Sequence, residues 1–123
     1  YAELLKEKIE KYNVDVFLVN TGWIGGGATT DAKRISIKNT RAMITSILDG
    51  SINNVEFSKE NYFGLMIPKS LENVNQSILN PINAWPNKEL YNNEAKELAQ
   101  KFKDNFNLYG KKVEYLINSG PVV

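Results

Sequence analysis

The sequence contains neither cysteine nor histidine in its 123 residues. Without cysteine the chain cannot form disulfides, thiolate nucleophiles or cysteine-ligated zinc sites, and this composition fits a reducing compartment. Without histidine it cannot build an imidazole general base, a histidine-containing triad or a histidine-ligated metal centre by itself. These kinds of catalysis are therefore excluded for this chain acting alone.

An excess of one charge and long apolar runs are also missing. The 15 lysines and arginines face 14 acidic residues, so the net charge of +1 creates no broad positive field for nucleic acid or anionic membranes. No run reaches the roughly 18 apolar residues of a membrane span, and the N-terminus lacks a signal pattern. We therefore expect a soluble, intracellular protein without nucleic-acid or membrane partners, in which a local cluster recognises any anion.

The length and the 42% hydrophobic content are enough for one compact domain. The chain starts without Met in "YAELLKEKIEKY", where Leu5, Ile9 and Tyr12 already follow helical spacing. A domain boundary usually offers a polar or flexible lead-in before the first helix cap. We therefore expect residues 1–123 to be a single domain or a fragment of a longer protein.

The first third of the chain predicts a helix, a strand and a loop. Residues 2–12 have the periodicity of an amphipathic helix. Residues 14–20, "VDVFLVN", are β-branched and almost wholly apolar, which is typical of a strand buried on both faces. Residues 21–33 are small and glycine-rich, and they predict a loop.

A second strand and a helix are predicted next. Residues 34–37, "RISI", alternate so that Ile35 and Ile37 point inward while Arg34 lies on the opposite face. Asn39 is the predicted N-cap of the following helix, whose apolar residues form one stripe.

The second half of the chain predicts one more strand and a long helix. Residues 62–67 suit a strand closed by Pro68, which cannot donate to a ladder. Residues 72–86 are rich in proline and asparagine and predict turns. Residues 88–108 carry an apolar helical face and begin after Asn87 as the N-cap. Together these segments predict an α/β fold with few strands flanked by helices.

The glycine-rich loop fails as a phosphate cradle. A P-loop requires G-x-x-x-x-G-K-[ST], but after Gly22 and Gly27 the chain has Ala28 where the lysine should stand. A dinucleotide fingerprint also fails, because Thr30 occupies the position of its third glycine. The glycines by themselves favour a flexible connection.

Four basic residues follow the loop: Lys33, Arg34, Lys38 and Arg41. A cluster beside the start of a helix suits an anion or the edge of a nucleotide. Spacing leaves two interpretations open. Arg34 reaches a ligand while the isoleucines are buried, or the charges are solvated and flank a short strand.

The segments "LVNTGWIGGG" and "KRISIKNTRAMITSILDG" resemble the C-terminal region of ATP-dependent phosphoenolpyruvate carboxykinases. The family pattern is a strand ending in V-N-T-G-W, a glycine-rich loop, then K-R-[IM]-S-I-x-x-T-R and a helix. The downstream segments "FGLMIP", "ILNPINAW" and "AKELAQKFKDNF" resemble the family in order and spacing, so the resemblance covers nearly the whole chain. The loop "GGGATTDAK" lacks the aromatic residue and later glycines of many members.

The resemblance implies a carboxy-lyase that converts oxaloacetate and ATP into phosphoenolpyruvate, ADP and carbon dioxide, with Mg²⁺ and Mn²⁺, in cytoplasmic gluconeogenesis. It implies that the chain is the C-terminal part of an α/β nucleotide-binding domain. It also assigns Arg34, Ile35 and Thr40 to the surroundings of the ATP adenine and ribose.

The resemblance further implies that the phosphate cradle, the metal ligands and the substrate arginines precede this chain. We therefore expect no catalytic residue and no metal ligand here, and no carboxykinase activity from the chain alone. A fragment of this kind is expected to self-associate through surfaces that the remainder normally covers. The alternative is a stand-alone, non-catalytic module that senses nucleotides or binds a protein.

Overall fold

Residues 1–27 and 31–123 are described by a computed structural model. In chain order, the helices and strands of these residues are α1 (Ala2–Tyr12), β1 (Trp23–Ile24), β2 (Lys33–Arg34), α2 (Ile37–Leu48), β3 (Phe57–Lys59), β4 (Met66–Pro68) and α3 (Lys88–Phe106). Short 3-10 helices cover Ser51–Asn54, Gln76–Ile78, Pro81–Ala84, Asn107–Tyr109 and Lys111–Ser119. This mixture of helices and few strands confirms the predicted α/β class.

The predicted helices α1 and α3 are confirmed, because local signals fix both their starts and their ends. α1 ends at Asn13, which adopts the left-handed conformation with φ 49° and donates its N–H to the Ile9 carbonyl. α3 begins after Asn87, whose side-chain oxygen accepts the N–H groups of Glu89 at 2.9 Å and Leu90 at 3.2 Å. α3 ends at Phe106, and residues 107–109 continue as a 3-10 turn.

The predicted N-cap of α2 is wrong by three residues. Ser36 is the cap, and its hydroxyl oxygen accepts the N–H of Asn39 at 3.2 Å. The same residues correct the predicted strand 34–37, because β2 ends at Arg34 and Ile37 is already the first residue of α2. Ile35 is buried as predicted, but Ile37 is 72% exposed.

The predicted buried strand over residues 14–20 is wrong. These residues have no regular secondary structure, and Val16 and Leu18 are 59% and 81% exposed. Phe17 and Val19 are half-buried, so the exposure still alternates with the period of a strand. A strand needs a neighbour to accept and donate its backbone hydrogen bonds, and the described part of the chain supplies none here.

The predicted loop 21–33 contains a small antiparallel hairpin. β1 pairs with β2 in the register Trp23 opposite Arg34 and Ile24 opposite Lys33. The remainder of the predicted loop includes residues 28–30, which lie outside the described residues.

The predicted strand 62–67 is also wrong, because two shorter strands flank a turn at this place. β3 pairs with β4 so that Ser58 lies opposite Ile67. The turn between them is closed by Glu60, whose carboxylate accepts the N–H groups of Tyr62 and Phe63. Pro68 lies at the end of β4, a position where a missing N–H is tolerated.

The packing of the described residues has two parts. The buried apolar side chains are Ile35, Ile52, Leu71, Ala95 and Ala99. An aromatic cluster packs the β3–β4 turn on α3 through edge-on contacts of Tyr62 and Trp85 with Tyr91 and of Phe63 with Phe102. No helix in the described ranges is long and apolar enough to cross a membrane.

Candidate functional site

An open pocket of about 490 Å³ lies between the β1–β2 hairpin and the N-terminus of α2. Its lining residues are Thr21, Arg34, Ile35, Ser36, Ile37 and Thr40. The volume falls within the range of roughly 300–1,000 Å³ that is typical of small-molecule sites. Apolar, hydroxyl and cationic side chains therefore meet in a cavity large enough for a nucleoside.

The structure brings together the three residues that the sequence singled out. Arg34 is the exposed last residue of β2, the side chain of Ile35 is buried, and Thr40 is half-buried on α2. They meet because only two residues separate the end of β2 from the start of α2. The strand carries the cation, the connection carries the apolar side chain, and the helix carries the hydroxyl.

The start of α2 faces this pocket with its first turn. The hydroxyl of Ser36 caps the helix, and the Ser36 carbonyl accepts the N–H of Thr40 at 3.0 Å. N–H groups in the first turn of a helix lack acceptors within the helix and carry partial positive charge. The pocket therefore offers hydrogen-bond donors as well as the Arg34 guanidinium.

The basic residues around the pocket remain exposed and uncompensated. Lys33, Arg34, Lys38 and Arg41 are all exposed, and none of them forms an ion pair with a described acidic residue. Only Arg34 lines the pocket. Lys33, Lys38 and Arg41 are near the lining residues in sequence but do not line the pocket.

Two contacts among the described residues help to hold the hairpin in place. The N–H of Ile35 donates to the Gly22 carbonyl at 2.8 Å, which extends the pairing by one bond beyond β2. At the other end, Gly25 has φ 83°, and a Cβ added there would lie 2.7 Å from the carbonyl oxygen of Ala84. The hairpin therefore packs backbone to backbone on the 3-10 helix Pro81–Ala84.

Three pocket residues were missed by the sequence reasoning. Ser36 could have been recognised from the sequence, because serine is a preferred N-cap whose side-chain oxygen accepts an N–H two or three residues later. Ile37 was predicted to face inward, but its position at the start of α2 places it at the pocket. Thr21 had no local signal, since it joins the pocket only through the pairing of β1 with β2.

A metal centre has no candidate in the described ranges 1–27 and 31–123. No group of three or more acidic side chains in these ranges is arranged to hold an ion.

Comparisons with known proteins agree on one family. The family model described as phosphoenolpyruvate carboxykinase matches residues 1–77, a range that includes every residue of the pocket. Two curated relatives named phosphoenolpyruvate carboxykinase (ATP), from Staphylococcus aureus strains MRSA252 and Newman, are each 47% identical over 120 residues. The alignments cover 98% of this chain and 22% of each relative, so the chain spans about a fifth of their length.

Proposed function

This chain belongs to the phosphoenolpyruvate carboxykinase family, and on that premise we propose that it supplies the adenosine-binding wall of an ATP-dependent carboxykinase. The proposed enzyme converts oxaloacetate and ATP into phosphoenolpyruvate, ADP and carbon dioxide in cytoplasmic gluconeogenesis. One observation carries the proposal: Arg34, Ile35 and Thr40 line the same pocket.

Each of these side chains suits one part of a nucleoside. The planar guanidinium of Arg34 stacks on the base or donates to the ribose. The buried side chain of Ile35 gives the base an apolar surface. The hydroxyl of Thr40 both donates and accepts, so it can bond a polar edge of the base.

The phosphates, the metal ions and the carboxylate substrates are proposed to bind parts of the enzyme outside this chain. The glycine-rich loop has no P-loop lysine, the sequence has no histidine, and the described acidic residues form no metal cluster. Mg²⁺ or Mn²⁺, if bound in the full-length enzyme, would neutralise charge on the phosphates, and no residue of this chain is proposed to hold it. We therefore expect no turnover from the 123-residue chain alone, and we assign it no catalytic residue.

The test uses the Staphylococcus aureus relative carrying this chain in place of its own matching 120 residues. We expect Arg34→Ala in this chimera to raise the KM for ATP about tenfold, the loss of one charge-assisted bond. Arg41→Ala is the matched control, because it removes the same charge from an exposed residue outside the pocket. Equal effects of the two variants would contradict a nucleoside contact by Arg34.

The isolated chain separates this proposal from a stand-alone module. Calorimetric titration with Mg-ATP should show no saturation below millimolar concentrations, because most of the affinity would lie in the missing phosphate and metal sites. Micromolar binding that Arg34→Ala abolishes would instead favour a nucleotide-sensing module. Light scattering on the same sample tests the proposed self-association, which would appear as a mass above 13.9 kDa.

A further inference from the structure

The hairpin that carries Arg34 is too short to hold itself in place. β1 and β2 have only two residues each, and two-stranded ribbons are marginally stable even when they are longer. The position of Arg34 and Ile35 relative to Thr21 must therefore depend on bonds outside the ladder.

The side chain of Asn20 makes two hydrogen bonds of this kind, to the backbone just before β1 and to the backbone of β1. The side-chain oxygen of Asn20 accepts the N–H of Gly22 at 2.9 Å, and its amide nitrogen donates to the Trp23 carbonyl at 3.1 Å. Gly22 is the residue whose carbonyl accepts the N–H of Ile35 at 2.8 Å. Trp23 is the residue paired with Arg34.

A single carboxamide thus bonds the peptide groups on either side of the Gly22 carbonyl, which is the group that accepts the N–H of Ile35. Asn20 itself is exposed and does not line the pocket. Thr21, which does line it, lies inside the turn that Asn20 closes. Loss of the carboxamide would leave the Gly22 N–H and the Trp23 carbonyl without these bonds, so the turn that contains Thr21 could shift and the pocket would change its width.

We propose that Asn20 is a positioning residue for nucleoside binding, which sets the distance between Thr21 and the Arg34–Ile35 strand. This inference rests on the proposed function, because it assigns the pocket to the adenosine of ATP. Asn20 contacts no substrate in this assignment. Its effect passes through the backbone of Gly22 and Trp23.

The test compares variants of the chimera by their response to two parts of ATP. Asn20→Ala removes both bonds, whereas Asn20→Ser keeps a short acceptor that can bond the N–H two residues on. Inhibition by adenosine reports the nucleoside pocket, and inhibition by inorganic tripolyphosphate reports the phosphate site. Asn93→Ala is the control, because Asn93 is an exposed asparagine on α3 whose side chain makes no hydrogen bond to a described residue.

We expect Asn20→Ala to raise the KM for ATP and the inhibition constant of adenosine about tenfold, the loss expected from weakening one ordinary hydrogen-bonded contact. The kcat and the inhibition constant of tripolyphosphate should stay within about twofold, since neither depends on the nucleoside wall. Asn20→Ser should fall between Asn20→Ala and the unmodified chimera. Its difference from alanine is only a hydroxyl, so this order separates hydrogen bonding from lost volume.

Three results would overturn the inference, and they are distinguishable. If Arg34→Ala raises the KM for ATP but Asn20→Ala does not, the proposed function stands and the role of Asn20 is wrong. If Asn20→Ala weakens tripolyphosphate as much as adenosine and lowers the melting temperature, Asn20 is only structural. If Arg34→Ala also leaves the KM for ATP and the inhibition constant of adenosine unchanged, the proposed function is wrong, and so is this inference, which rests on it.

Discussion

Replacing Gly25 by alanine should detach the β1–β2 hairpin from the 3-10 helix Pro81–Ala84. Gly25 has φ 83°, a conformation that costs a non-glycine residue about 1–2 kcal/mol. The added Cβ would also lie 2.7 Å from the Ala84 carbonyl oxygen, a backbone atom that cannot rotate away. Shifting the packed backbone adds about 1–3 kcal/mol. The two costs together lower the free energy of unfolding by about 2–5 kcal/mol.

Urea unfolding followed by tryptophan fluorescence measures this decrease in the free energy of unfolding with probes close to the Gly25–Ala84 contact. The two tryptophans of the chain, Trp23 and Trp85, lie on either side of the contact, one in β1 and one directly after Ala84. With a slope of about 2 kcal/mol per molar urea, the midpoint should fall by about 1–2.5 M.

Gly27→Ala is the matched control for this measurement. A Cβ at Gly27 would meet no atom of the described residues within 4 Å, so its substitution should change the free energy of unfolding by less than about 0.5 kcal/mol. Equal midpoints for the two alanine variants would refute the close approach of Gly25 to Ala84, and with it the docking that shapes the pocket.

Two further predictions test the capping of α2 and the environment of an aromatic residue. Ser36→Ala should destabilise by about 1 kcal/mol in urea unfolding, because it removes the N-cap oxygen; no loss would contradict Ser36 as the cap. Burial and the neighbouring Glu60 carboxylate raise the pKa of Tyr91 to about 12. The neutral Tyr91 side chain contributes stability to the folded state. This contribution is complete below about pH 10 and is lost as the pH rises through 12, because the tyrosine ionises at a lower pH in the unfolded state. A phenolate absorbance titration should therefore show one late tyrosine that Tyr91→Phe removes; a titration curve unchanged by Tyr91→Phe would refute it.

Local signals were sufficient for α1 and α3 but not for α2. The periodicity and the Asn87 cap act within one helical turn, so the sequence predicts α3 well. The start of α2 depends instead on where the chain leaves the sheet. Because the N–H of Ile35 is bound to Gly22, the backbone turns at the next residue, and Ser36 rather than Asn39 becomes the cap.

The predictions of the strands were wrong for a related reason, because strand pairing depends on residues that are distant in sequence. Residues 14–20 have the composition of a buried strand, but composition does not supply a partner. The same limit applies to the pocket. Arg34, Ile35 and Thr40 came from motif resemblance within one short segment, whereas Thr21 reaches the pocket only across the hairpin. Their role in binding adenosine stays a prediction.

Large apolar side chains near the start of the chain are exposed. Leu5, Tyr12, Val16 and Leu18 are all more than half exposed. The relatives are far longer than this chain, so in the chimera their other residues can cover exposed apolar side chains of this kind. The contacts that hold the hairpin in the described residues include the bonds of Asn20, the Gly22–Ile35 bond and the approach of Gly25 to Ala84. Nucleoside affinity measured on the isolated chain should therefore be lower than in the chimera, even though every pocket residue is present in both.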